Sequence, residues 1–234
     1  MTESSGGPFD QFVAASEAFE GVVLGQVPFT PERFDDDYFA SEWRVEGNKY
    51  ELETRRRIEA RNPDLIKQAF DPTRVLDVGC GPGFLMQFLH ELGVDVRGVD
   101  FSRSSIELAP PTMKSLIRTG PTDSLAEPDG SFDLAICREV AEHLTVLQVR
   151  RTVAELCRVS SRFVYVTTRF HPNPSTLLDV TTDFETDPTH ITLMSKDLLR
   201  ALFVLEGYGR RADLEELLDW GGKGRVLVYE RVVA

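Results

Sequence analysis

A buried strand that runs straight into three alternate glycines is the feature that most limits what this chain can fold into. The segment is VLDVGCGPG, residues 75–83, with glycines at positions 79, 81 and 83. Because glycine has no β-carbon, a ligand can approach this backbone closely, and a helix that begins here offers unpaired N–H groups. The segment therefore predicts a strand, a ligand-binding loop and a helix, in that order.

From residue 72 onward, short β-rich runs alternate with helical runs. Strands are predicted at residues 74–78, 94–99, 116–118, 132–137, 163–168, 208–214 and 225–233. Helices are predicted at residues 83–92, 102–108, 139–143, 146–158 and 195–206. The alternation indicates an α/β fold, a mostly parallel sheet with helices on both faces, whose ligands bind beyond the carboxyl ends of the strands.

The chain length of 234 residues suits one large domain with an extension. Residues 1–70 are predicted to form an N-terminal helical cap, and residues 71–234 the ligand-binding core. Within the cap, the acidic and aromatic residues 31–43 are interpreted either as a solvated connector or as a lid over a ligand. The long irregular stretch 169–194 is predicted to be an active-site loop.

Charge and composition restrict the partners and the compartment. The formal net charge of −12 argues against binding a phosphate backbone, so we expect no nucleic-acid partner. No apolar run approaches the roughly 20 residues of a membrane helix, and the N-terminus lacks a signal-peptide pattern, so we expect a cytoplasmic protein without membrane association. The three cysteines are odd in number and lack paired spacing, which predicts reduced thiols.

Two carboxylates accompany the glycines. Asp77 lies two residues before Gly79, where it can accept a hydrogen bond from a cationic amine but would repel a pyrophosphate. Asp100 ends the second predicted strand, where a carboxylate can accept hydrogen bonds from ribose hydroxyls. Dinucleotide sites share the second feature, so a nicotinamide-dependent oxidoreductase stays an alternative.

Three segments occur in a characteristic order: VLDVGCGPG, GVD at residues 98–100 and DGSFDLAIC at residues 129–137. On these segments the chain resembles the class I S-adenosylmethionine-dependent methyltransferases over about residues 72–232. The resemblance implies a Rossmann-like, seven-stranded sheet with its last strand antiparallel.

The same resemblance implies a set of cofactor-binding residues. Asp77, Gly79 and Gly81 would cradle the methionine portion of S-adenosylmethionine, Asp100 would hold the ribose and Phe101 would cover the adenine. Where the family often has an acid for the adenine amine, Thr122 or Asp123 is expected to take its place. The remaining members of the expected set are Cys80 and Cys137.

A further candidate site follows the fourth predicted strand. If residues 139–143 are helical, Glu139, Glu142 and His143 share one face beside the place where the methyl group should emerge. Two carboxylates and an imidazole suit a divalent metal such as Mg, Mn, Fe or Zn, and equally suit a general base without metal. The string resembles the metal-binding E-x-x-E-H of the ubiquinone-pathway O-methyltransferases and of the small-RNA 3′-terminal 2′-O-methyltransferases. In those families a later histidine completes the site, and His190 is the candidate here.

The sequence thus predicts an S-adenosylmethionine-dependent methyltransferase that acts on a small molecule, with a hydroxyl oxygen as the favoured acceptor. His143 and His190 are the candidate catalytic residues. A non-catalytic, cofactor-binding regulatory protein is the second alternative beside the oxidoreductase. The acids of the 169–194 stretch, including Glu185 and Asp187, are interpreted as solvent-exposed.

Overall fold

The computed structural model describes residue 17 and residues 19–40 and 51–232. Its main sheet has the order β3-β2-β1-β4-β5-β9-β8. The seven strands are β1 (Arg74–Val78), β2 (Asp95–Asp100), β3 (Ile117–Thr119), β4 (Phe132–Arg138), β5 (Ser160–Thr167), β8 (Tyr208–Arg210) and β9 (Val226–Arg231). Pairing is parallel from β3 through β5, and β9 runs antiparallel to both of its neighbours. The predicted seven-stranded, mostly parallel sheet is confirmed.

Helices cover both faces of this sheet. They are α1 (residues 19–25), α2 (Asp36–Ala40), α3 (Leu52–Glu59), α4 (Asn62–Phe70), α5 (Phe84–Glu91), α6 (Arg103–Glu107), α7 (Val146–Val159), α8 (Lys196–Leu205) and α9 (Ala212–Leu218). Neighbouring residues of β1 point to opposite faces, so Val75 packs with α4, α5 and α9, whereas Leu76 packs with α7 and α8. The predicted α/β layering is confirmed.

Two predicted elements in the second half of the chain differ in the structure, besides the segment after β4 that is described with the site. The strand predicted at 208–214 ends at Arg210, because Leu214 and Leu218 lie one helical turn apart in α9 and pack into the core. The stretch 169–194 contains a short hairpin-like pair, β6 (Leu178–Asp179) with β7 (Leu193–Met194). No described helix has the length and apolarity needed to cross a membrane.

The N-terminal region is described only in part. Within it, α4 buries Leu65, Ile66 and Phe70 in the same core cluster as the sheet. Residues 1–16, 18 and 41–50 of the predicted cap, which include the end of the acidic and aromatic segment 31–43, lie outside the described residues. The division into a cap of residues 1–70 and a core of residues 71–234 therefore stays a prediction.

Candidate functional site

A cavity of about 350 Å³ opens at the carboxyl ends of β1 to β4. This is the place where parallel α/β sheets bind ligands, because the loops that follow the strands diverge there. Its walls come from the glycine loop, the turns after β2, β3 and β4, the 169–194 stretch and residues 29–39. The predicted cofactor residues other than Cys137, and the two predicted catalytic histidines, therefore surround one space.

The glycine loop meets the cavity through Gly81. Gly79, Gly81 and Gly83 all have φ between 53° and 76°, the left-handed region that favours glycine. A β-carbon at Gly79 would collide with Val140, and one at Gly83 would lie 2.8 Å from Ile117. A β-carbon at Gly81 would meet nothing within 4 Å, so the open face of the loop at Gly81 is turned toward the cavity.

Asp100 holds this loop in shape. Its Oδ2 accepts a hydrogen bond from the Gly81 N–H at 2.7 Å, and its Oδ1 accepts from the Ser102 N–H at 2.8 Å and the Ser105 hydroxyl at 2.9 Å. Burial raises the pKa of this carboxyl, and the three donors act in the opposite direction. Because Oδ2 accepts only one of these bonds and Asp100 lines the cavity, this carboxylate keeps acceptor capacity for a ligand hydroxyl. Phe101 lines the cavity beside it.

Asp77 lies in a buried group of charges. Burial, only partly offset by the Arg138 guanidinium, raises the pKa of Asp77 to about 7. Glu59 is paired with Arg138 at 2.9 Å and with Arg55 at 3.0 Å. Although burial opposes ionisation of Glu59, these two guanidiniums lower its pKa to about 2. Arg138 lines the cavity, and its guanidinium acts on the Asp77 carboxyl. The Nε atom of Arg138 has no hydrogen-bond partner among the described residues.

Sequence reasoning missed the Glu59 and Arg138 pair. Arg138 ends β4 and Glu59 ends α3, so their contact joins segments 79 residues apart. Glu59 is buried in a highly charged helix, where no hydrophobic periodicity in the sequence distinguishes a buried glutamate from an exposed one.

The residues expected near the adenine lie in two environments. Thr122 and Asp123 line the cavity, but the Thr122 hydroxyl is already hydrogen-bonded to the Thr152 hydroxyl at 3.0 Å, and Asp123 is paired with Arg151 at 2.8 Å. Cys80 also lines the cavity, and burial raises its thiol pKa. Cys137 does not line it: its position on β4 turns it to the opposite side, into the core packed against α7 and α8. The cavity lining gives no support to the expected contact of Cys137 with the cofactor, which stays a prediction.

The segment after β4 is not the helix that was predicted. Glu139 has φ 54° and leaves the strand in the left-handed region, and only Ala141–His143 form a turn, of 3₁₀ type. Glu139 therefore does not share a face with Glu142 and His143. Its carboxylate is paired with Arg225 at 3.1 Å and is not one of the three groups whose ligand atoms come together.

Glu142, His143 and His190 do come together. One ligand atom from each lies within 4.8 Å of the others. Glu142 Oε2 accepts from the Thr168 hydroxyl at 2.7 Å, while Oε1 is buried with no partner among the described residues. Burial, reinforced by the Glu139 charge, raises the pKa of Glu142 to about 8. The two imidazole centroids are 4.9 Å apart.

The 169–194 stretch is docked onto this turn by its backbone. The N–H groups of Ile191 and Thr192 donate to the Glu142 carbonyl at 2.8 and 3.2 Å. Gln26 adds a second link, since its amide donates to the Ile191 carbonyl at 2.9 Å and accepts from the Val146 N–H at 2.8 Å. These bonds bring His190 to His143 from a position far along the chain.

The acids Glu185 and Asp187 are not solvent-exposed, so that interpretation is wrong. Their side chains are 5% and 8% exposed. Glu185 is paired with Arg169 at 2.8 Å and lies 2.7 Å from His190 Nδ1, and Asp187 Oδ1 accepts from the Thr189 hydroxyl. The closely spaced acid, threonine and histidine in DPTH, residues 187–190, were the available sequence signal.

Aromatic side chains form the remaining wall. Phe34 packs edge-on against the His143 imidazole with centroids 5.8 Å apart, and Phe29, Tyr38 and Phe39 also line the cavity. The neighbouring acids at 35–37 are exposed. In the described part of this segment, the acids at 35–37 thus face solvent and the aromatic residues line the cavity, while its action as a lid stays a prediction.

Comparison with known proteins shows that part of this chain is similar to methyltransferases. Residues 75–162 match a family model described as a methyltransferase domain. A ubiquinone biosynthesis O-methyltransferase of Bordetella avium is 38% identical over 77 residues, which are 30% of this chain and 32% of that protein. The chain thus spans about one third of the length of that curated relative.

Solved structures share the fold. A SAM-dependent methyltransferase from Archaeoglobus fulgidus superposes with a TM-score of 0.58 at 15% identity, covering 84% of this chain and 97% of that one. A geranyl diphosphate C-methyltransferase from Streptomyces coelicolor, solved with Mg²⁺, geranyl diphosphate and S-adenosyl-L-homocysteine, superposes with a TM-score of 0.59 at 12% identity over 85% and 88% of the two chains. The family-model match confirms the predicted resemblance to the class I S-adenosylmethionine-dependent methyltransferases over residues 75–162, and the solved structures confirm the fold that the resemblance implied.

Proposed function

We propose that this protein transfers a methyl group from S-adenosylmethionine to a hydroxyl oxygen of a small molecule. The observation that carries the proposal is the meeting of two sets of residues in one cavity. The glycine loop with Asp77 and Asp100 lines one part, and Glu142, His143 and His190 line another. A cavity of about 350 Å³ suits a small ligand.

The residues of the first part fit the cofactor. The open side of Gly81 leaves the space that a β-carbon would fill, so a ligand can lie against the backbone there. Asp77 would hold the ammonium group, and the neighbouring Arg138 would face the carboxylate of the same amino acid. Asp100 Oδ2 would accept from a ribose hydroxyl. S-adenosylmethionine, when bound, would supply an electrophilic methyl group on a sulfonium.

The residues of the second part suit an oxygen acceptor. A hydroxyl must lose its proton during transfer, and an imidazole is the side chain whose ordinary pKa lies nearest neutrality. His143 or His190 would take that proton, and the aromatic wall would exclude water. The protein would otherwise act by aligning the two reactants.

The more specific form of the proposal includes a divalent metal bound by the residues of the second part. The buried, unpartnered Glu142 Oε1 and the two imidazoles form a donor set that suits Zn, Fe or Mn better than Mg. A metal there would hold substrate oxygens and lower a hydroxyl pKa. The similarity to named O-methyltransferases supports oxygen as the acceptor, and the Mg²⁺ in the geranyl diphosphate enzyme is consistent with a cation in this fold.

A labelled-donor screen tests the proposal. The protein would be incubated with isotope-labelled S-adenosylmethionine and a panel of hydroxylated, aminated and carbon acceptors, before and after chelator treatment. We expect an O-methylated product whose formation is lost in His143→Gln. Thermal stabilisation by NAD and not by S-adenosylmethionine would instead indicate the oxidoreductase. Cofactor binding without turnover would indicate a regulatory protein, and full activity after metal removal would reject the metal.

A further inference from the structure

Each imidazole of the cavity has a buried carboxylate behind it. We propose that Glu185 and Asp187 are positioning residues that hold His190 and His143 with the proton on Nδ1 and the lone pair on Nε2. The inference deepens the proposed function, on which its kinetic consequence rests. An imidazole can act as a base or as a metal ligand only through an unprotonated nitrogen.

The contact of His190 with Glu185 fixes the first ring. Glu185 Oε2 lies 2.7 Å from His190 Nδ1. An ionised carboxylate can only accept, so Nδ1 must carry the proton. Arg169 holds the carboxylate in place, with its Nε 2.8 Å from Oε2 and its Nη2 2.9 Å from Oε1. Because the side chains of Glu185 and His190 are 5% and 10% exposed, water competes little for this bond.

The contact of His143 with Thr189 fixes the second ring. His143 Nδ1 lies 3.1 Å from the Thr189 carbonyl oxygen, which can only accept, so a hydrogen bond forms here only while Nδ1 carries the proton. The Thr189 hydroxyl oxygen lies 2.9 Å from the same nitrogen. That hydroxyl gives its own proton to Asp187 Oδ1 at 2.6 Å, and therefore offers only a lone pair to His143.

Asp187 keeps Thr189 in the required conformation. Besides the hydroxyl, its Oδ1 accepts from the Thr189 N–H at 2.9 Å. Without these two bonds the Thr189 hydroxyl could rotate and donate to His143 Nδ1, which would move the ring proton to Nε2. The other oxygen, Asp187 Oδ2, is 3.6 Å from His190 Nε2, beyond hydrogen-bond distance.

Both carboxylates therefore act on rings whose Nε2 atoms would be the functional ones. Partners behind a ring fix its tautomer and orientation, and losing them typically costs about 10–100-fold in activity or metal affinity. The two acids belong to the loop that carries His190, and this loop docks on the Glu142 carbonyl. The same loop thus supplies one imidazole and orients both.

Long-range proton–nitrogen correlation spectra of isotope-labelled protein test the inference directly. They distinguish protonated from unprotonated ring nitrogens, and the chain has only four histidines, which His143→Gln and His190→Gln would assign. At alkaline pH, where imidazoles are neutral, we expect Nδ1–H in both rings. Glu185→Ala should change the tautomer of His190, and Asp187→Ala that of His143. An Nε2–H tautomer in the unmodified protein, or unchanged tautomers in both variants, would overturn the inference.

Kinetics and matched variants complete the test. We expect Glu185→Ala to lower kcat by about 10–100-fold with little change in KM for S-adenosylmethionine. Glu185→Gln and Asp187→Asn keep an acceptor oxygen and should retain the native tautomers. Asp183→Ala removes an exposed acid of the same loop and should change neither readout. Native tautomers in a protein that methylates no acceptor would uphold the positioning role and reject the proposed function.

Discussion

The two parts of the cavity differ in what holds their side chains in place. In the glycine loop and the turn after β2, which form the part proposed for the cofactor, backbone groups do this work: Gly79 N–H donates to the Val99 carbonyl at 2.7 Å, and Asp100 accepts from Gly81 and Ser102. In the part proposed for the acceptor, side chains and loops from distant segments hold one another. His143 meets Thr189 across 46 residues, and Thr168 meets Glu142 across 26.

This difference indicates how each part can change. A site built from backbone N–H groups and left-handed glycines depends on the main chain and tolerates few substitutions. A site built from side-chain pairs on a docked loop can be altered by exchanging the loop, with the sheet unchanged. Substitutions in the two parts should therefore affect different quantities: cofactor affinity in the first, kcat or acceptor choice in the second.

The largest effect is expected for Asp100→Ala. The change leaves the Gly81 N–H, the Ser102 N–H and the Ser105 hydroxyl without their acceptor, at a cost of about 1–3 kcal/mol for each group that stays buried. It also removes the expected ribose contact. We expect severe loss of S-adenosylmethionine binding in calorimetry and a large loss of stability in urea.

Asp133→Ala is the matched control for this variant. Its carboxylate also accepts backbone bonds, from Thr73 at 2.7 Å and Arg74 at 3.0 Å, but it lies at the other end of the sheet from the cavity. It should lower stability and leave cofactor affinity unchanged. Unchanged affinity in Asp100→Ala would remove the ribose assignment.

The next effect concerns Asp77 and pH. Its pKa is about 7 in the folded protein and near 4 in an unfolded chain. Between these values the folded protein keeps a proton that the unfolded chain has lost, so Asp77 lowers stability as pH rises through this window. Asp77→Asn removes that dependence. The stability of the variant relative to the unmodified protein should therefore rise from pH 4 to pH 7, by at most roughly 4 kcal/mol.

Glu59→Gln tests the opposite sign in the same buried group. The folded pKa of Glu59 is about 2, below its ordinary value, so its charge adds stability that is present at neutral pH and lost as pH falls toward 2. The stability that Glu59→Gln loses relative to the unmodified protein should therefore become smaller as the pH falls. If the stability of both variants relative to the unmodified protein changed with pH in the same direction, the buried charges would not interact as described. Urea unfolding across the pH range measures both.

The sequence was sufficient for the glycine loop and Asp100 because their constraints are local, but not for the pair of Glu59 and Arg138, which joins segments 79 residues apart. A glycine at positive φ or a carboxylate at a strand end has its role set by the adjacent backbone, and Gly81 and Asp100 lie where they were predicted. The exit of β4 was predicted wrongly because spacing alone cannot show that Glu139 leaves the strand at φ 54°. The partners Glu185 and Asp187 could not be found either, since their burial depends on how the loop docks.

A moderate effect is expected for Gly81→Ala. The new β-carbon meets no protein atom and would project into the space proposed for the cofactor, and overfilling a packed site typically costs about 1–3 kcal/mol. We expect S-adenosylmethionine affinity to fall by roughly 5-fold to 150-fold. Gly93→Ala is the control, because it also has positive φ and an open β-carbon position, but lies outside the cavity. Equal affinity losses in the two variants would attribute the effect to backbone strain.

The smallest effect is expected for Glu139→Gln, which separates the sequence motif from the geometry. The Glu139 pair with Arg225 is solvent-exposed, and such pairs contribute about 0–1 kcal/mol. Since Glu139 lies outside the cluster of Glu142, His143 and His190, its loss should leave metal affinity and kcat nearly unchanged. Glu142→Gln, by contrast, should lower metal affinity at least tenfold. Calorimetric titration of both variants with Zn²⁺ and Mn²⁺ measures this contrast. Equal losses would mean that Glu139 turns into the cluster when metal binds and that all the acids of the E-x-x-E-H string act together.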